Sequence, residues 1–395
     1  MASRNRGFLL TDDEMERLSN FCRDMFLNLS RSDQKRWGEI YVRGLISVPG
    51  RKSIRGISHH VMGAPADQGI QQFVNQSPWE SEPVRHNLAE LVNGRLRPKA
   101  WVIEEVVLPK NGSSSVAVTR QYAPSARRVM NCQLGLGLFM VGGGAAIPVD
   151  WRLLMPPEWD TDLTRRARAH VPESERHRSR WQILLEMITE VGVDWQFDVP
   201  PIVLDARHDT DIASLLRGLD ERGLSYVIRV APGAVVTYGR QAPITAGHFS
   251  VTSGRAAAGE TSVNWREDLA GPGTRSRFIM KSLPRASADE PASWRNRTRY
   301  LLAEWMPGKQ RPAGLWLTNL HSPQMPHIIG LAYSQHRATA EMARLSQEFG
   351  LAHFEGRSFR GWHHHATLVS LAHAFVELQK MDRDNRGAQL RGSLV

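Results

Sequence analysis

Residues 200–230, PPIVLDARHDTDIASLLRGLDERGLSYVIRV, constrain the fold more than any other stretch of this chain. Ile202-Val203-Leu204 is an apolar run of the kind found in a strand buried on both faces. Asp205 follows where that strand should end, and Asp209 to Asp211 supply N-cap chemistry for a helix. Ile212, Leu215, Leu216 and Leu219 then recur at helical spacing, Gly223 stops the helix, and Tyr226 to Val230 form the next strand. A strand–helix–strand unit of this kind belongs in an α/β layer, where the carboxyl ends of parallel strands face the ligand crevice. Because the later acids already serve as caps, Asp205 is left as a candidate functional carboxylate.

Composition narrows the partner. The 395 residues are enough for a large core, and the net charge is +10 with 43 arginines against 7 lysines. Arginine's planar fork grips phosphate oxygens two at a time, so this bias suits a phosphate-backbone partner; a GC-rich genome also turns lysine into arginine, but leaves the net excess unexplained. Cys22 and Cys132 form no CxxC pair, which excludes a disulfide framework and a thiolate zinc site. The N-terminal MASRNRGFLLTDDEMER lacks a signal-peptide core, and the uncharged run Val129 to Val149 is broken by five glycines and Pro148. These features predict a soluble, cytoplasmic protein with no membrane span.

Residues 1–95 read as a helical N-terminal domain, with helices from Thr11 to about Leu29 and from Ser32 to about Leu45, then shorter pieces broken at Gly63-Ala64-Pro65 and Ser77-Pro78. Arg51, Lys52 and Arg55 stand near a helix start in a pattern like a helix-turn-helix, which makes them candidate DNA contacts; a plain dimerisation or capping domain has the same outline. From Trp101 the character changes: WVIEEVVLP, SVAVTRQY, CQLGLGLFMV and AIPVDWRLLMP read as successive strands, with Gly142-Gly143-Gly144 as a hairpin turn. Ser179 to Val191 is a predicted helix. Residues 232–297, with alternating patches VVTYGR and HFSVTS, read as an inserted β-rich region. Strands return at 299–303 and 315–318, and helices follow at about 327–349 and 361–380. The last carries Leu368, Leu371, Ala372, Phe375 and Leu378 as a core-facing stripe.

Several local motifs, QQFVNQSPW (71–79), WVIEEVVLPK (101–110), SVAVTRQY (115–122), NCQLGLGLF (131–139), VDWRLLMPPEW (149–159) and GLAHFEGRSFRGWHHHATL (350–368), resemble one group of bacterial insertion-sequence transposases of the DDE superfamily. The resemblance runs through roughly residues 40–380 with the motifs in order. It implies an α/β fold with an RNase H-like mixed-sheet core over 96–231 and 298–380, the β-rich insertion at 232–297, the helical domain at 1–95 in front and a tail at 381–395. It also implies double-stranded DNA as partner, Mg²⁺ as cofactor, and a homodimer as one state of assembly.

Transposases of this superfamily hold two divalent ions about 4 Å apart with an Asp–Asp–Glu set, activating a water or 3′-hydroxyl and stabilising the leaving oxygen. Carried over residue by residue, Asp205 takes the second position and Glu105, preceded by Glu104, the first. A glutamate there reaches about 1.5 Å further than an aspartate. Counting back from GLAHFEGRS, the helix glutamate falls on Thr339, its preceding arginine on Gln335 and its following lysine on Ser346. Glu341 is the nearest acid to the third position, turned about 200° around the helix. Arg357 and Arg360 in the same motif join the DNA-contact candidates. His363, His364 and His365 are consecutive, so they fan around a helix instead of converging on one ion.

Three functions follow. One is a transposase-family DNA-binding protein with impaired or lost strand transfer. Another is an active Mg²⁺ enzyme using Glu105, Asp205 and a displaced third acid. The third is a fold reused for small-molecule chemistry at Asp205 and Glu105.

Overall fold

In a computed structural model the chain is described over residues 10–63, 65–236, 243–252, 261–266, 275–283 and 298–392. Five helices come first: α1 (Asp12–Met25), α2 (Ser32–Ser47), α3 (Ile54–Met62), α4 (Asp67–Asn75) and α5 (Ser81–Leu96). Strands β1 (Ala100–Pro109), β2 (Thr119–Ala123), β3 (Arg128–Gly142) and β4 (Ala145–Leu153) follow, then short helices α6 (Glu158–Thr161) and α7 (Leu163–Arg168). The chain continues with α8 (Arg180–Thr189), β5 (Ile202–Asp205), α9 (Ile212–Glu221), β6 (Tyr226–Arg229), α10 (Ala246–Thr252), β7 (Thr261–Arg266), β8 (Arg275–Ser282), β9 (Tyr300–Trp305) and β10 (Gly314–Thr318). Two long helices close it, α11 (Met325–Gln347) and α12 (Phe359–Gly392). The fold is mixed α/β, a helical region followed by an RNase H-like mixed-sheet core with a β-rich insertion.

Contacts gather the chain into two compact units, the first holding residues 1–98, 104–178 and 337–395, the second 99–103 and 179–336. The N-terminal helices, expected as a domain of their own over 1–95, belong to the first unit together with β2–β4 and α12. In that unit β3 pairs antiparallel with both β2 and β4, and the β3–β4 turn places Gly143 and Gly144 at φ +56° and +86°, the left-handed conformations of a tight hairpin. Trp151, Trp362 and Phe139 are wholly buried there, and the α12 stripe Leu368–Leu371–Ala372–Phe375–Leu378 is buried as its spacing predicts. In the second unit the strand order is β1-β5-β6-β10-β9-β8-β7. β1–β5 and β5–β6 are parallel and the remaining pairs antiparallel, the mixed sheet the strand–helix–strand pattern requires.

Local chemistry explains the helix ends. Thr11 Oγ1 accepts from the Glu14 backbone N–H while Glu14 Oε2 accepts from Thr11 N at 2.9 Å, a capping box that starts α1. Asp211 caps α9 through Ser214 N at 3.0 Å. α2 and α3 cross at Gly44, where a Cβ would meet Ile57 Cγ2 at 2.3 Å, so only glycine permits the approach. Gly44→Ala is therefore expected to destabilise the protein by about 1–3 kcal/mol, read as a lower midpoint in thermal unfolding; an unchanged midpoint would contradict the crossing.

Two strand expectations are corrected. Strand structure in SVAVTRQY begins only at Thr119, because Ala117 sits at φ +55°, which breaks an extended run. HFSVTS is not a strand: residues 246–252 are helical in α10, and Ser253 lies outside the described residues. In VVTYGR, Val235 makes a single bridge to Thr245, and residues 237–240 lie outside the described residues. The expected tail at 381–395 is helical as far as Gly392, as the end of α12. Among the described residues no helix is long and apolar enough to cross a membrane.

Candidate functional site

Asp205 closes β5 and is half-buried. Its carboxylate is gripped from one side by Arg207, two residues on. Oδ1 accepts from Arg207 N and Nε, both at 3.0 Å, and Oδ2 from Nε at 2.9 Å and Nη2 at 2.6 Å. Burial pushes the Asp205 pKa up, but the Arg207 hydrogen bonds and charge, with Arg229 behind them, outweigh it and hold the group ionised below the usual carboxylate range. Arg229 is the register partner of Asp205 on β6 and lies over the Trp316 ring at 5.6 Å. Burial lowers the Arg229 pKa most, and the neighbouring Arg207 charge adds to it. Asp209 pairs with Arg180, and Glu304 accepts from Ser276 Oγ at 2.7 Å and Tyr333 Oη at 2.9 Å.

Alternation along β1 decides which face each residue of the Glu104-Glu105 pair takes. The β1–β5 pairing runs Trp101↔Ile202, Val102↔Val203, Ile103↔Leu204. The next residue along β1 is Glu104. Glu105 is one step further, so its side chain leaves the strand on the opposite face. Its surroundings agree: burial first, then the Glu105 charge, raises the Cys132 pKa, and Val107, two residues on, packs against Ala123, Cys132 and Leu134. Val106, on the Glu104 face, lies with Trp362 of α12 over Gly135. Glu105, expected as the first acid, thus sits on the Cys132 face, and Glu104 takes the other.

The helix position expected to bear the third acid is where Thr339 meets that other face. Thr339 Oγ1 donates to Glu104 Oε1 at 2.8 Å. Glu341 points elsewhere, as its turn around the helix requires: Oε2 accepts from His373 Nε2 at 2.8 Å and from Arg344 Nη1 at 2.7 Å. Arg344 Nη1 also reaches Glu377 at 2.7 Å, and its Nε reaches Glu348 at 3.2 Å. Ligand atoms of Glu341, His373 and Glu377 lie within 4.8 Å of one another, a set that by type could take a cation, but the positive charge among them is Arg344. Ser346 Oγ turns back to Met342 O at 2.9 Å.

Two divalent ions need converging carboxylate oxygens; in the second unit Asp205 is held by a guanidinium, and in the first Glu104 is held by the hydroxyl of Thr339, which stands where a third acid is expected.

The basic candidates divide by burial. Arg55, Arg357 and Arg360 are exposed, and Arg51 is exposed but paired with Glu355 at 2.7 Å. Lys52 is not a surface residue: it is 3% exposed, its Nζ donates to Val48 O, and burial lowers its pKa to about 8. His363, His364 and His365 are buried in three different settings. His363 Nδ1 meets Arg85 Nη2 at 2.9 Å, His364 lies between the carbonyls of Val74 and Trp79 and donates the one N–H of its neutral ring to one of them, and His365 Nδ1 meets Tyr41 Oη at 2.9 Å. They hold α12 in its unit.

Sequence patterns of known families agree with this architecture. The DDE superfamily endonuclease family matches residues 24–300, more than half of the chain. The chain belongs to the DDE superfamily of endonucleases. A probable transposase for insertion sequence element IS701 from Microchaete diplosiphon is 24% identical over 190 residues, covering 47% of this chain. The chain spans about half the length of that curated relative, the match covering 46% of it. The matched region includes Glu104, Asp205 and Arg207 and ends before Thr339. Arg207 and the Glu104 face are what residue reading alone missed. The first had a local signal, an arginine two places after a strand-end aspartate; the second had none, since the face depends on pairing with a strand a hundred residues away.

Proposed function

We propose that this chain is an insertion-sequence-derived, duplex-DNA-binding member of the superfamily that no longer carries out strand transfer, acting in the cytoplasm. The observation that carries the reading is the Thr339 hydroxyl on Glu104, at the helix position where the resemblance calls for a glutamate. In this reading Glu104 stands for the family's first acid and Asp205 for its second. Gln335 and Ser346 replace the basic residues that would flank the third. Mg²⁺ catalysis through Glu341 is disfavoured by the commitment of that carboxylate to His373 and Arg344. The positive balance of +10 supports retained DNA binding.

The test is fluorescence anisotropy of labelled duplex DNA against the full-length protein over a salt series. Affinity is expected to fall steeply with salt, with a slope near −0.9 in log K per neutralised phosphate. The triple variant Arg55→Ala, Arg357→Ala, Arg360→Ala is expected to flatten that slope by about two to three. Lys52→Ala, whose ammonium is buried, is expected to leave the slope unchanged. A salt-independent signal, or a slope set by Lys52 and not by the three arginines, would contradict the reading.

A further inference from the structure

We propose that Arg207 occupies the place of a divalent cation on Asp205, so that this strand end is closed to metal by a residue of the chain itself and opens to one ion when the guanidinium is removed. The inference rests on the family reading above, and concerns what the Asp205 carboxylate binds.

Four contacts link the two residues, and both carboxylate oxygens are used. A fork-shaped guanidinium gripping both oxygens is the strongest of the charged hydrogen-bond geometries. The partners are two residues apart, and the Arg207 backbone N–H on Oδ1 fixes the turn between them. Ordering the pair therefore costs far less chain entropy than an ion pair between distant segments. A second cation stands behind the first: Arg229 is level with Asp205 on β6, and its Nε makes no hydrogen bond. An incoming ion would have to displace Arg207 and then tolerate the charge of Arg229. Mg²⁺ would gain one carboxylate in exchange, although it gives up its waters reluctantly. The neighbouring acids offer little help, because Asp209 is paired with Arg180 and Glu304 is held by Ser276 and Tyr333. The side chains of Arg207 and Asp205 are 38% and 25% exposed, so an ion in solution can reach the carboxylate once the guanidinium is gone.

Mn²⁺ titration, followed by the electron paramagnetic resonance signal of the free aqueous ion, tests this on the full-length protein without DNA. The proteins are wild type, Asp205→Asn, Arg207→Ala, Arg207→Gln, and the double variant Asp205→Asn, Arg207→Ala. Wild type and Asp205→Asn are expected to take up Mn²⁺ alike. Arg207→Ala and Arg207→Gln are each expected to gain one ion per chain, at least tenfold tighter than wild type, and the double variant to lose it. Wild-type binding of an ion that Asp205→Asn abolishes would overturn the proposal, and that comparison stands even if the Arg207 variants fail to fold. Folded Arg207 variants with no gain would overturn it as well. DNA binding by the same preparations in EDTA is a separate readout: its loss would count against the proposed function and leave the ion result to be judged by itself.

Discussion

Arg85→Ala is expected to lower the stability of the protein by about 3–5 kcal/mol, enough to leave much of the chain unfolded at physiological temperature. Arg85 is 3% exposed and Asp150 is fully buried. The guanidinium donates to Asp150 Oδ1 and to Trp151 O, both at 3.0 Å, to Thr367 Oγ1 at 2.8 Å, and meets His363 Nδ1 at 2.9 Å. One side chain of α5 thus satisfies β4 and α12 at once. Removing it leaves a buried carboxylate with Arg152 as its remaining partner, together with an orphaned hydroxyl and ring nitrogen, while the Trp151 carbonyl keeps Arg152 Nη1 at 3.0 Å. Denaturant unfolding of Arg85→Ala checks the size of the loss. Arg85→Met with Asp150→Leu should lose less than the two single changes summed, since the double change removes both charges. A loss below 1 kcal/mol for Arg85→Ala would show the network to be dispensable.

Mild acid is expected to destabilise the protein through the same helix. His364 and His365 are buried and held neutral, with pKa values lowered by burial to about 4 from an ordinary value near 6.5, and burial lowers His363 as well. The unfolded chain therefore binds protons near pH 6.5 that the folded chain refuses until about pH 4. Stability is fully present above the unfolded value and is lost as pH falls through that window. Between pH 7 and pH 5 each of His364 and His365 is expected to remove about 2 kcal/mol, or about 4 kcal/mol together. Replacing His364, which stacks on Trp79 at 3.7 Å, by glutamine keeps hydrogen-bonding capacity toward Val74 and Trp79 and should flatten the acid limb. Chemical denaturation at pH 7, 6 and 5 makes the comparison. A wild-type curve flat over that range would contradict the burial of neutral histidines.

What was legible in the residues was what local pattern controls. The strand ending at Asp205, the aspartate cap on α9, the glycine stop and β6 all follow from spacing within 30 residues, and the three histidines fan apart as consecutive helix positions must. What was not legible depended on distant partners. Lys52 reads as a surface base beside a helix start, but its backbone N–H meets His353 Nδ1 at 3.1 Å and its stem lies against Gly350, three hundred residues on. Glu105 and Glu104 are equivalent in composition and are separated only by the β1–β5 register. HFSVTS alternates apolar and polar residues over too short a length to exclude one and a half turns of helix, which is what α10 makes of it.

The proposed function requires a chain that binds DNA and leaves it intact. Supercoiled plasmid incubated with the full-length protein, in Mg²⁺ and separately in Mn²⁺, tests this most directly when the topoisomers are resolved on an agarose gel. Mn²⁺ belongs in the trial because its looser coordination is the more forgiving of an altered carboxylate set. Plasmid is expected to stay supercoiled in both metals at protein concentrations that shift it fully on a native gel. Nicked or linear product that disappears in Asp205→Asn would contradict it.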